Sequence, residues 1–184
     1  LNVLLARAQK RCCNPSEQSA ATNQMLDRFE EAVFDMFKQE WQRQSAVAMP
    51  NRIAIVDNDP ESQFMFLEFE LACQLLQARG IDTVILDPSE LEYIDGTLTA
   101  HGQKIDMIYN RLVDFAFEDP DHVLLKQAYL EGAVVVTPNP RVHAMLANKQ
   151  NLTLLSDSQI LRSWGLDEAA VECLERSVPR TKIV

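Results

Sequence analysis

The chain has 184 residues, enough for one domain of ordinary size with a substantial core. Its 47% hydrophobic content is that of a globular chain, while a net charge of −10, from 17 basic against 27 acidic residues, argues against sequence-independent nucleic-acid binding, which needs a basic surface to displace counterions. The longest greasy stretch, FMFLEFELACQLL, is interrupted by Glu68 and Glu70, so no segment approaches the apolar length that spans a bilayer.

Residues 1–13, LNVLLARAQKRCC, predict a short helix rather than a secretory signal, because the basic residues follow the apolar ones. No initiator Met precedes them, and the chain is expected to be a piece of something longer. The four cysteines, Cys12, Cys13, Cys73 and Cys173, have no CxxC spacing. They are expected to be thiols acting as small hydrophobes in a reducing, cytoplasmic compartment, with no zinc site. Asn14-Pro15-Ser16 breaks the first helix. A long helix follows over about 17–43, where Met25, Phe29, Val33, Phe37 and Trp41 recur at spacing four and Asp27, Glu31, Asp35 and Lys38 form the solvated face. Met49-Pro50-Asn51 closes this N-terminal helical arm, residues 1–50.

From residue 51 strands alternate with helices. RIAIVD (52–57) and DTVILD (82–87) read as strands around a helix that starts at Pro60, runs to about Arg79 and is capped by Gly80. Asp95-Gly96 within LEYIDGTLTAHGQKI predicts a β-hairpin. IDMIY (105–109) and AVVVT (133–137) are further strands, separated by a helix over roughly 121–131 capped by Gly132. Helices in two or three pieces, with a break near Gly165, fill roughly 141–177. The alternation predicts an α/β domain over 51–184, a Rossmann-like, mostly parallel sheet with helices on both faces and right-handed crossovers.

Ligands of such sheets gather beyond the carboxyl ends of the strands. RIAIVDNDP resembles the opening strand of a phosphorelay receiver, but the end of the third main strand holds Asn110 or Arg111. Neither an amide nor a guanidinium can accept the phosphoryl group as a receiver's aspartate does. Asp57 and Asp59 then need other roles: Asp59 caps the helix that Pro60 starts, and Asp57 either binds a ligand amine or ends the sheet. Arg111 is either a clamp for carboxylate or phosphate or a surface partner of Asp114 or Glu118. Tyr109 alternates with Met107 and belongs to the core. Glu68 falls inside an apolar helical sector, where a carboxylate is costly unless paired. It either reaches Arg111 or a ligand, or lies at an edge in water. Pro138 and Pro140 force an extended turn that presents the Asn139 amide near the crevice. His143, at a helix start, reads as a helix-surface residue rather than a catalytic base. Asn148 is placed to cap a helix beginning at Lys149, giving either an anion-attracting helix start or an ordinary solvated lysine.

The order of these segments carries a resemblance. Tyr109-Asn110-Arg111, AYLEGAVVVTPNP, ANKQNLTLL and VPRTKIV follow one another as in the domain that precedes the catalytic ATP-grasp domain of ATP-dependent ligases. The chain resembles glutathione synthetases and glutathionylspermidine synthase-like proteins over roughly 52–184. It departs from them at Asn148, where an acidic residue would precede the lysine. The resemblance implies that the parent enzyme uses ATP and Mg2+ to activate a carboxylate, which an amine or thiol then attacks. This chain would bind a small carboxylate substrate through Arg111, with Asn110, Asp57, Asn139 and Glu68 around it and Lys149 near the nucleotide. Its partner would be its own C-terminal ATP-grasp domain. None of the five glycines builds a GxxxxGK[ST] or GxGxxG loop. The chain alone is therefore expected to have no cofactor, no metal and no catalytic residue of its own. A second reading is a non-catalytic binding or assembly module, with the arc of helix 17–43 facing a partner, as in a homodimer through the N-terminal helices. A nucleotide-binding regulatory fold is a third, against which the missing glycine fingerprint counts.

Overall fold

The computed structural model describes residues 20–182, with side chains from residue 27 onward. The helix expected over 1–13, the thiols of Cys12 and Cys13 and the first residues of the long helix lie outside the described residues. The chain divides into two compact units, Leu1–Pro138 and Asn139–Val184.

The first unit is built on helix α1 (Ala20–Gln42), strand β1 (Arg52–Val56), helix α2 (Phe66–Gln77) and strand β2 (Asp82–Leu86). A small antiparallel sheet follows, of β3 (Leu91–Ile94), β4 (Thr97–Ala100) and β5 (Gln103–Lys104). Strand β6 (Met107–Asn110), helix α3 (Val123–Leu130) and strand β7 (Val135–Thr137) complete it. The four main strands are parallel in the order β2-β1-β6-β7. The unit is thus mixed α/β, with helices on both faces of a parallel sheet, as the alternation of segments predicts.

Period-two alternation sorts the strand side chains between two cores. Ile53, Ile55, Met107, Tyr109 and Val135 face α1 and α2, where they pack with Phe37, Trp41, Phe69, Ala72 and Leu76. Ala54, Val56, Ile108, Val134 and Val136 face the other way, onto Leu125 and Ala128 of α3 and onto Leu91, Leu98 and Ala100 of the antiparallel sheet. Both faces are covered, which is why RIAIV is buried at all five positions. The step β1–α2–β2 runs one way across the sheet and β6–α3–β7 the other. Right-handed crossovers of opposite direction place their helices on opposite faces, and α2 and α3 do lie on opposite faces. The antiparallel sheet takes the place of a helix in the crossover from β2 to β6.

The carboxyl half of α1 packs on its own sheet: Phe37 meets Tyr109 edge-on at 5.1 Å between centroids, and the Trp41 indole N–H donates to the Val47 carbonyl at 2.8 Å. Asp95 and Gly96 both take positive φ in the β3–β4 hairpin, the turn that Asp-Gly predicts. His101-Gly102 repeats it between β4 and β5, a strand that the sequence reading leaves out. Helix α2 ends as expected, with the Gly80 and Ile81 N–H groups closing back on Gln77 and Leu76 around a left-handed glycine.

Its start is corrected. Pro60 opens only a 3-10 turn, Pro60–Ser62, and α2 begins at Phe66. Asp59 makes no side-chain cap; it sits in the left-handed region (φ 41°, ψ 63°) and its N–H donates to Asp87 Oδ2 at 2.8 Å.

The second unit holds four helices where two or three were expected: α4 (Pro140–Leu146), α5 (Asn151–Leu155), α6 (Ser158–Ser163) and α7 (Glu168–Ser177). Asn139, Asp157 and Asp167 cap α4, α6 and α7 through their side chains. Leu161 and Val171 are buried, and the expected break falls at Gly165, in the left-handed region between α6 and α7.

Candidate ligand crevice at the carboxyl ends of β1 and β6

The strand order reverses between β1 and β6, since the chain leaves β1 for β2 on one side and resumes at β6 on the other. In open α/β sheets ligands bind at such a switch point, beyond the carboxyl ends of the two strands. The residues delivered there are Asp57 and Asn58 after β1, and Asn110 and Arg111 at the end of β6, with Val56 paired to Asn110.

Arg111 continues the alternation of Met107 and Tyr109 and turns toward α2. Its guanidinium carbon lies 5.5 Å from the ring centroids of both Phe69 and Tyr109. Nη1 donates to the Tyr109 hydroxyl over 3.3 Å. Nη2 lies 4.0 Å from Glu68 Oε2, an ion pair beyond hydrogen-bond range, and Nε is buried without a partner. A guanidinium has five N–H groups in a rigid fork. Most of this fork's capacity is unspent, and the side chain is 30% exposed.

Glu68 is 6% exposed in the first turn of α2, so it is no edge residue in water. The positive end of the helix and Arg111 supply the compensation that a buried carboxylate requires. The surface pairing of Arg111 with Asp114 or Glu118 does not form. Asp57 ends β1 half-buried. Burial pushes its carboxyl above the usual range, against the opposing pull of the Asn58 N–H and the Arg111 charge. Asn110 is 1% exposed. Its Oδ1 accepts from the Leu112 N–H at 3.1 Å, and its Nδ2 is buried without a partner. Burial likewise raises the Tyr109 phenol, which keeps its proton beneath the guanidinium.

A cluster beside the crevice has no counterpart in the sequence reading. His122, 2% exposed, places Nδ1 2.8 Å from Asp114 Oδ2 and Nε2 3.1 Å from Asn58 Oδ1, tying the loop after β6 to the loop after β1. Burial works against ionisation of Asp114, but the Asp119 N–H, the His122 ring and the Glu118 N–H outweigh it and hold the carboxyl at about 2. Asp87 is held low in the same way: Ser89 and the Asp59 N–H overcome its partial burial. A depression of about 580 Å³ opens beside these loops, lined by Asp59, Glu61, Asp87 and Glu90 together with Pro60, Phe66 and Ile85. It offers an anion no cation. Among the described residues no group of three His, Cys, Asp or Glu side chains could hold a metal ion, and no helix is long and apolar enough to cross a membrane.

Arg111, Asn110, Asp57 and Glu68 thus fall within one unit, around one strand pair. Asn139 and Lys149 belong to the second. Asn139 does not present a free amide oxygen: its Oδ1 accepts from the Arg141 and Val142 N–H groups as the cap of α4. Lys149 does not begin a helix. Asn148 Oδ1 accepts from the Gln150 N–H in a turn, and α5 starts only at Asn151, without a side-chain cap. His143 lies within α4, its N–H donating to the Asn139 carbonyl. The second unit has its own polar groove of about 560 Å³, lined by Ser156, Asp157, Glu175, Arg180, Thr181 and neighbours. No protein-family model and no curated protein matches the chain.

Proposed function

We propose that the chain is the substrate-binding part of an ATP-dependent carboxylate–amine or carboxylate–thiol ligase of ATP-grasp type. Its sheet is Rossmann-like, and a small carboxylate binds at the β1/β6 switch point. The observation that carries this reading is the state of Arg111: a partly exposed guanidinium within 5.5 Å of two ring centroids, with one long hydrogen bond and a buried Nε without a partner. Each buried donor without an acceptor costs about 1–3 kcal/mol. A guanidinium fork left short of acceptors at a switch point suits an anionic acceptor with more than one oxygen. The resemblance of its segment order to that of ATP-grasp ligases suggests the reaction class. The parent enzyme would use ATP and Mg2+ bound outside this chain, in the cytoplasm, with this chain docked on its own ATP-grasp domain.

Small carboxylates and amines, screened by thermal shift and followed by NMR titration, test the reading. Carboxylates are expected to raise the melting temperature of the wild-type chain and to leave Arg111→Ala unmoved while its fold persists. Equal shifts in both proteins would refute the clamp. With ATP and magnesium the chain alone is expected to show no turnover above background.

The second reading, a binding or assembly module, draws on Phe64, 98% exposed in the loop after β1, and Val113, 93% exposed in the loop after β6. Light scattering of the purified chain separates it: a stable dimer weakened by Phe64→Ser and Val113→Ser would favour it.

A further inference from the structure

We propose that Asp57 and Glu68 make the Arg111 site selective for singly charged carboxylates over phosphate dianions. The inference rests on Arg111 being the anion clamp and adds the charge of the ligand that the clamp accepts. Arg111 carries a single positive charge. Glu68 stands 4.0 Å from its Nη2 and is buried, so water screens this carboxylate poorly. Asp57 directly follows Val56, whose carbonyl accepts from the Arg111 N–H at 2.9 Å, so it stands across the switch point from Arg111, and it too is partly withdrawn from water.

The acids of the adjoining loops, Asp59 and Asp87, add field of the same sign. Asp114 does so less, because the His122 ring lies against it at 2.8 Å. A monoanion in contact with the guanidinium gains the nearest interaction and bears repulsion from groups farther off. A second charge on the same ligand finds no second cation in this set. Attraction and repulsion both scale with charge, but the guanidinium fork engages two oxygens, so the third phosphate oxygen loses its water with no cation in contact while still bearing the repulsion of Glu68 and Asp57. Rejection by like charge is how sites exclude an otherwise similar ligand. A phosphate site would show the reverse pattern, with several cations or a glycine-rich cradle of N–H groups around the oxyanion.

Benzoate and phenyl phosphate differ in their anionic head and share the ring, and at pH 8 phenyl phosphate is largely a dianion. Titration of the 15N-labelled chain at low salt, followed at the Arg111 Nε–H and at the backbone N–H groups of residues 57–59 and 110–111, gives a Kd for each. The wild type is expected to bind benzoate at least about tenfold more tightly than phenyl phosphate. Glu68→Gln and Asp57→Asn are each expected to narrow that ratio by about tenfold, mainly through tighter phenyl phosphate binding. Arg111→Ala is expected to remove both ligands. The two neutralising variants sit at different depths, so the ratio can be read from either one if the other does not fold. A wild type that binds phenyl phosphate as well as benzoate, or a ratio unmoved by neutralising the acids, overturns the inference while loss of binding in Arg111→Ala leaves the clamp standing. Unchanged binding in Arg111→Ala overturns both.

Discussion

Two arginines stand at opposite ends of the same parallel sheet, and their surroundings differ. Arg52 opens β1 at the amino edge and is 7% exposed. Its Nη1 donates to the Ala100 carbonyl and the Gln103 amide oxygen, and its Nε faces Asp82 Oδ2 at 3.1 Å, a close ion pair although off the line of a hydrogen bond. Asp106 completes that edge: its Oδ2 accepts from the Asn51 and Arg52 N–H groups, and its Oδ1 meets Lys104 at 3.1 Å. Arg111 closes β6 at the carboxyl edge with one 3.3 Å hydrogen bond and an ion pair at 4.0 Å. A buried ionic group whose partners are all supplied by its own chain holds strands in register; one left short of partners keeps capacity for a ligand.

The comparison breaks or sharpens under mutation, and the largest effect belongs to the amino edge. Asp106→Ala removes the acceptor of the Asn51 and buried Arg52 N–H groups and a counter-charge, and is expected to cost about 3 kcal/mol in urea unfolding. A loss below about 1 kcal/mol would mean that this edge does not hold the sheet. Next comes the Asp114 clasp. Its carboxyl titrates at about 2 in the folded chain against 3.8 ordinarily. A depressed carboxyl contributes stability that is complete above the ordinary value and disappears as pH falls through the folded one. About 2 kcal/mol should therefore vanish between pH 4 and pH 2. Asp114→Asn should flatten that part of the pH profile.

Third, Arg52→Ala is expected to destabilise by about 2 kcal/mol, whereas Arg111→Ala should change stability by about 1 kcal/mol or less while abolishing carboxylate binding. Equal losses of stability in the two variants would erase the distinction. The smallest effect lies in the loop after β1. Asp59 holds positive φ without capping anything, so Asp59→Gly should stabilise by about 0.5 kcal/mol in the same unfolding assay.

Much of the first unit was legible. Runs of β-branched residues between turn signals marked β1, β2, β6 and β7. Asp95-Gly96, Gly80 and Gly132 marked points where the backbone must take positive φ, a requirement written into the residue itself. What failed depended on neighbours distant in sequence. Asp59-Pro60 has the form of a cap, but Asp87, 28 residues away, draws the Asp59 N–H and turns the backbone left-handed. The helical wheel put Glu68 in an apolar sector, yet only Arg111 across the sheet decides that it stays buried there. Asn139 offered an amide, and the N–H groups of α4 took its oxygen first. His122 carried one faint local signal, Asp114 eight residues upstream; its other partner, Asn58, is 64 residues away, and no local pattern announces it.

The sequence by itself determined which segments extend, which coil and where glycine must let the chain reverse, because those choices follow from side-chain branching, period and φ. It also brought Arg111 to the end of a strand. Only the tertiary structure decided the order β2-β1-β6-β7, and with it which strand ends face one another across the switch point. Pairing between strands is a long-range matter of burying both faces at once. The same packing, by giving Arg52 its partners and leaving Arg111 short of them, set which charge is structural and which remains open to a ligand.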